Sequence, residues 1–314
     1  MPQFKVTASS LNVRQTPSPQ GAIIGALAEN DIIEQLATSE DQKWLKVQKG
    51  ALVGWSSQRY LTPFTPSVPT GPLDQIAQIA GSSAIATYHW SGRGIAPRGY
   101  TKGMALVFAR VYCKLLDGDA SAVEMAKANT GNSAKDALSH YANQFHQLGM
   151  DNEASGVVTL RQLFVLLLGL GMRESSGRWC EGRDRSAHNT TSETAEAGLF
   201  QTSWNARSAS SLLPQLFNHY RANPAGFLEV FKEGVTVRSH DLQNFGSGDG
   251  EEFQRLSKEC PAFAAEFAAI GLRNMRTHWG PINTHAAELR PEADRMFLRV
   301  QQAVDSFNLC PAVR

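Results

Sequence analysis

The sequence predicts a multidomain protein: a small all-β barrel, followed by a larger and mainly α-helical domain. Three observations predict it. Short β-type runs recur between proline and glycine turn signals through the first 64 residues. Pro63, Pro66, Pro69 and Pro72 then fall at every third position. Beyond them, apolar residues return at helical spacing. The predicted boundaries are 1–64 for the β domain, 65–74 for a Pro-rich linker and 75–314 for the helical domain. A chain of 314 residues accommodates two domains at about 100–200 residues each.

In the β domain, the predicted runs are 4–7, 11–14, 22–26, 31–36, 44–48 and 52–56. Pro17, Pro19, Gly21, Gly25, Gly50 and Gly54 punctuate them. Its candidate core is Leu11, Val13, Ile24, Leu27, Ile32, Trp44, Leu45, Val47, Val53, Trp55, Tyr60 and Leu61. A core this small is modest. The prolines that follow favour polyproline II geometry and a semi-rigid spacer. Helices are predicted over 104–116 and 136–148, and from an N-capping Thr159 through Leu168. Further helices are predicted over 209–222, 226–232, 261–275 and 291–305, with Pro261 and Pro291 in first turns. Residues 163–168 are apolar on every side, so that helix is expected to be buried.

Composition narrows the function. Apolar residues make up 42% and charged residues 19%, enough for a real core and unlike a disordered chain. The net charge of +1 excludes a strongly cationic nucleic-acid binder, so no nucleic-acid partner is expected. Residues 1–64 hold six basic and five acidic side chains, and 24 of each remain in the rest. No membrane span is expected, because the longest apolar run, 163–170, is interrupted by Gly169 and falls far short of about 18 residues. The opening MPQFKVTASS shows no basic segment followed by an apolar one, so no secretory signal is read. Cys113, Cys180, Cys260 and Cys310 are far apart and form no CxxC motif. Free thiols and up to two disulfides are both open.

The run Leu11-Asn12-Val13-Arg14, with Gly21, Gly25, Trp44-Leu45-Lys46-Val47, Gly54-Trp55 and Tyr60-Leu61, resembles a bacterial SH3-like domain. Such domains accompany enzymes of cell-wall metabolism, and some bind peptidoglycan. The resemblance implies a wall or protein ligand for this domain. Trp44 and Trp55 can serve as core or as an exposed platform.

The helix predicted to be buried ends in Arg173-Glu174-Ser175-Ser176-Gly177, and Gly198-Leu199-Phe200-Gln201-Thr202-Ser203 follows. A carboxylate held against an apolar helix is partly desolvated, which raises its pKa. Such an acid can donate its proton to a glycosidic oxygen near neutral pH. Taken alone, Glu174 reads as an ion-pair partner of Arg173 or Arg178 near a helix end, and the motif that follows changes that reading.

Glu-Ser-x-Gly followed by Gly-Leu-hydrophobic-Gln resembles the lysozyme-like superfamily, and more narrowly goose-type lysozymes and lytic transglycosylases. The resemblance spans about 40 residues. It implies a lysozyme-like domain over 75–314 that cleaves the MurNAc–GlcNAc β-1,4 bond of peptidoglycan glycan strands. Glu174 is then the catalytic acid, and Ser175, Gly198, Leu199 and Gln201 are substrate-side residues. Trp204, directly after this segment, is the aromatic expected to stack on a sugar. Phe200 replaces the family's usual Met. A water-activating base is expected at Asp184 first and Glu181 second, with Glu193 and Glu196 also in reach. Without a base, the lytic route needs no second carboxylate, since the substrate's own C6 hydroxyl closes an anhydro ring. No cofactor is implied, and the site of action is the periplasm or outside the cell.

Other readings remain. Tyr88-His89-Trp90 and Trp279 suit sugar stacking or packing, and Asn283 an N-acetyl contact or a turn. Ser247 to Glu252 reads as a surface loop, and no HExxH motif supports a zinc peptidase. A cysteine peptidase would need a thiolate activated by a histidine, and Cys180 with His188 is the nearest pair. A chitinase on the same scaffold and a non-catalytic wall-binding protein complete the alternatives.

Overall fold

The structure, a computed structural model, describes residues 2–64, 71–183 and 191–313. The chain divides into two compact units, 1–68 and 69–314. The first is a seven-stranded antiparallel sheet. Its strands are β1 (Gln3–Val6), β2 (Ser10–Arg14), β3 (Ile23–Ala28), β4 (Ile32–Thr38), β5 (Trp44–Lys49), β6 (Leu52–Ser57) and β7 (Leu61–Phe64). They lie in the order β3-β2-β6-β5-β4-β1-β7. Alternation along β2 and β5 sends Leu11, Val13, Leu45 and Val47 inward, where they meet Val6, Leu27, Ile33 and Leu61. Ile33 takes the inward place expected of Ile32, because a one-residue step in register exchanges the two faces. Ile24, Val53 and Tyr60 are exposed, and Trp44 and Trp55 are half-buried. β3 is an edge strand that buries only Leu27. Strand β7 was not predicted. Pro63 lies within it, which an edge strand tolerates.

The second unit is mainly helical. Its helices are α1 (Pro72–Gly81), α2 (Arg98–Leu116), α3 (Ala120–Ala126), α4 (Ala137–His140), α5 (Ala142–Gln147), α6 (Val157–Ser175) and α7 (Leu212–Ala222). They continue as α8 (Leu228–Phe231), α9 (Asp249–Glu259), α10 (Pro261–Asn274), α11 (Gly280–Asn283), α12 (Pro291–Phe307) and α13 (Cys310–Val313). A short hairpin, β8 (His89–Trp90) with β9 (Gly94–Ile95), precedes α2. Pro72 is the first residue of α1 rather than the last proline of an extended spacer, as its fixed φ suits a first helical turn. Residues 136–148 form two short helices instead of one, broken at Tyr141, whose backbone leaves helical geometry. Thr159 lies inside α6, and Gly156 is the N-cap. The segment 247–252, expected as a loop, contains the first turn of α9, whose Asp249, Glu251 and Glu252 complement the helix dipole.

Helix α6 runs through the core and packs against α2, α3 and α12. Leu160, Leu163, Phe164, Val165, Leu166, Leu167, Leu168 and Leu170 are wholly or almost wholly buried. Each such side chain contributes about 1.5–3 kcal/mol relative to exposure. A disulfide joins Cys113 of α2 to Cys310 of α13, while Cys180 and Cys260 are free and buried. Among the described residues, no helix is long and apolar enough to cross a membrane.

Candidate active site

Glu174 is the penultimate residue of α6. The helix ends there because Ser176 and Gly177 take left-handed conformations, with φ of 55° and 72°. Their amides donate to the Met172 and Gly171 carbonyls, which closes the last turn. Gly177 is also required sterically, since a Cβ there would stand 2.8 Å from the Tyr100 ring. Tyr100 in turn donates its hydroxyl to the Leu168 carbonyl. The end of α6 is therefore fixed from two sides. Arg93, in the β8–β9 hairpin, donates to the Arg173 carbonyl and to Ser176 Oγ.

The second motif is held against this end. Gly198 has φ of 74°, and a Cβ there would stand 2.6 Å from the Ser257 carbonyl oxygen. Leu199 and Phe200 are buried in the core, and Trp279 Nε1 donates to the Phe200 carbonyl at 3.0 Å. Anchored this way, the segment brings Glu196 and Gln201 to the same cleft as Glu174. The cleft has a volume of about 450 Å³, and Glu181, Gly182, Arg183, His240, Gln243, Asn244 and Phe245 complete its lining.

Burial raises the Glu174 pKa to about 8, helped by the negative charge of Glu196 and opposed by Arg93. Glu174 is thus predominantly a protonated acid at neutral pH. Glu181 is engaged elsewhere. Its carboxylate accepts from Arg178 Nε at 2.8 Å, and Arg178 also pairs with the buried Asp241. The Glu181 carbonyl accepts the Gly198 amide at 2.8 Å, so this residue ties the two motif segments together. Glu193 pairs with Arg207 and is outside the cleft lining. Asp184, the base expected first, lies outside the described residues, as does His188.

Of the residues expected to contact substrate, Gln201 lines the cleft, with a φ of 44° and its amide donating to the Gly198 carbonyl. Ser175 is buried and donates to the Gly171 carbonyl of its own helix, and Leu199 lies in the core behind the cleft. Gly198 acts through its backbone. Trp204 is not a cleft residue: its ring packs 4.5 Å from Phe217 and 5.6 Å from Phe253 in the core. Trp90 and Trp279 are buried as well, and Asn283 bonds within its own turn region, to Arg276 and Thr277. The aromatic of the cleft is Phe245, with the Arg183 guanidinium stacked 4.1 Å from its ring centre. The 240–245 segment carries no sequence motif, and only the fold brings it to the site.

Cys180 is buried, and its thiol is pushed up to about 11 by burial and by Asp241. A nucleophilic cysteine needs the opposite shift. Among the described residues, no group of three or more histidine, cysteine, aspartate or glutamate side chains could hold a metal.

The family model of the bacterial SH3 domain matches residues 9–62. The N-terminal unit is therefore an SH3-like domain. No curated protein matches the chain by sequence.

Proposed function

We propose that the helical unit is a muramidase that cleaves the MurNAc–GlcNAc β-1,4 bond of peptidoglycan, with Glu174 as general acid. The observation that carries this reading is a carboxyl group kept protonated near neutral pH, in a polar cleft that also holds a second carboxylate. Glu174 gives its proton to the glycosidic oxygen as the C1–O bond breaks. The departing alcohol is neutral, and positive charge develops on the sugar. Glu196 lies on the same cleft and is the carboxylate suited to stabilise that charge or to take a proton from water. Glu181 lines the same cleft, with its carboxylate held by Arg178. Arg183 and Phe245 offer a flat surface for a sugar ring. The SH3-like unit fits a tether to the wall or to a protein partner. The Cys113–Cys310 disulfide accords with action in the periplasm or outside the cell.

The test is digestion of purified peptidoglycan, with mass spectrometry of the released muropeptides. Wild type is expected to release reducing-end muropeptides, and Glu174→Gln to lose about 10²–10⁴-fold in rate. Anhydro-muropeptides would instead place the substrate's C6 hydroxyl in the role of water. Wall digestion by Glu174→Gln at the wild-type rate would sink the assignment, and cleavage of chitin alone would move the substrate.

A further inference from the structure

Hydrolysis at the cleft needs an acceptor for the proton of the attacking water, and one side chain there has the partner such a base requires. His240 lines the cleft, and its side chain is 51% exposed. The next residue, Asp241, is wholly buried. Oδ2 of Asp241 accepts from Arg178 Nη2 at 2.5 Å and from the Arg238 amide at 2.6 Å. Oδ1 is shut off from solvent and has no hydrogen-bond partner among the described residues. Nε2 of His240 stands 3.7 Å from that oxygen. The backbone that sets up this meeting is held from several sides. The Asp241 amide donates to the Arg238 carbonyl, and Arg178 Nη1 donates to the Thr236 carbonyl. A Cβ at Gly182, on the same cleft, would stand 3.2 Å from the His240 carbonyl oxygen. A slight turn of the imidazole brings Nε2 within hydrogen-bond reach of Oδ1.

A buried acceptor without a donor is costly, so an N–H that reaches Oδ1 is favoured. Charge favours it as well. Two carboxylates, Asp241 and Glu181, share one guanidinium, Arg178. Cys180, beside Asp241, stays a neutral thiol, because burial and Asp241 push its pKa up to about 11. Lys258 donates to the Asp241 carbonyl, and Glu251 and Glu259 act on its ammonium too. An imidazolium at His240 adds the second positive charge that the two carboxylates call for. The other ionisable groups lining the cleft are Glu174, Glu181, Arg183 and Glu196. We propose that His240 is the catalytic base of the cleft, with its Nε2–H directed to Asp241 and its Nδ1 lone pair taking a proton from the attacking water. The proposal rests on the muramidase reading. Glu174 protonates the leaving oxygen as the C1–O bond breaks. The water oxygen bonds to C1, and the proton it sheds goes to Nδ1. Solvent then removes that proton from the imidazolium and reprotonates Glu174, so the sum is the addition of one water. Glu196 is left ionised to face the positive charge on the sugar.

Two measurements test this with the full chain. In the first, release of reducing ends from purified peptidoglycan is followed against pH for wild type, Glu174→Gln and His240→Gln. Wild type should give a bell, rising as the base loses its proton and falling as Glu174 loses its own. His240→Gln, at a half-exposed position, is expected to lower kcat about 10²-fold with KM little changed. It should also abolish the rising limb and keep the falling one. The second measurement needs no substrate: NMR of isotope-labelled histidine rings, with His240→Gln assigning the signal. The neutral ring is expected to carry its proton on Nε2 and to take up the second on Nδ1. Digestion by His240→Gln within about twofold of wild type, an equal loss at every pH, or a neutral ring protonated on Nδ1 would overturn the proposal and leave the muramidase reading in place. Anhydro-muropeptides from wild type would overturn it too, since no water then attacks C1. No digestion by wild type at any pH would remove the muramidase reading and this role with it.

Discussion

The two units treat charge in opposite ways. In the β unit, the ion pairs Lys43–Asp41 and Lys49–Asp31 lie at the surface, and the buried core is eight aliphatic residues. In the helical unit, charge goes inside. Asp136 is fully buried and grips Arg273 through both of its oxygens at 3.0 Å. Glu266, also fully buried, accepts from Lys114 and from the Tyr220 hydroxyl. Asp241 accepts from Arg178 and from the Arg238 amide. Burying a charge is costly unless it is paired and hydrogen-bonded, and a core of eight residues cannot enclose such a network. The larger unit can, and it pairs these buried carboxylates with cations. At the end of α6, Glu174 lines a cleft together with Glu196, and burial raises its pKa to about 8. The contrast separates buried carboxylates paired with cations from a buried carboxyl whose pKa is raised toward 8.

The sharpest way to break this contrast is to remove one cation from each unit. Arg273→Met leaves Asp136 buried without its partner and also strips hydrogen bonds from the Lys127 and Ala128 carbonyls. A loss of about 3–5 kcal/mol is expected in denaturant unfolding followed by the helical signal. Lys49→Met removes the β unit's Lys49–Asp31 pair, and the expected loss is about 0–1 kcal/mol. Similar losses would dissolve the distinction. A smaller effect is expected from the disulfide. Cys113 and Cys310 are 197 residues apart, so their bond constrains a long loop of the unfolded helical unit. Cys310→Ser is expected to cost about 2–4 kcal/mol in that unit alone, since the β unit contains no cysteine.

What could be read from the sequence follows the same division. Strands and long helices were legible because alternation and helical spacing are local signals. Glu174 was legible because a carboxylate ends an apolar run, and Gly198 to Gln201 because the motif itself is local. Ile24 and Val53 were misjudged because propensity does not say which face of a strand meets the core. Trp204 was misjudged because adjacency in sequence to the cleft segment is not adjacency to the cleft: its own short 3-10 turn, Trp204–Ala209, directs it toward Phe217. Phe245 and Asn244 were missed because they reach the site from another part of the chain, through the loop before α9. No local pattern encodes that meeting.

The pH dependence is the most specific test. In the unfolded chain the Glu174 carboxyl titrates near its ordinary 4.5, and in the folded protein near 8. Between these values the unfolded chain has released a proton that the folded one retains. The Glu174 contribution to stability is therefore largest below pH 4.5, falls as pH rises toward 8, and levels off above it. Glu174→Gln does not titrate, so its melting temperature should gain on wild type progressively across that window. The upper edge of the window reports the surroundings of Glu174. Burial is the first cause of the shift and the charge of Glu196 the second, so Glu196→Gln should move the edge below 8 but leave it above 4.5. Arg93→Met should move it the other way, since Arg93 favours the ionised form. Under the proposed muramidase function, wall digestion by wild type should decline through the same edge, because the acid loses its proton there. A melting-temperature difference that stays flat from pH 4.5 to 8 would mean that Glu174 titrates as an ordinary surface carboxylate, and the contrast between cation-paired and raised carboxyls would lose its central case.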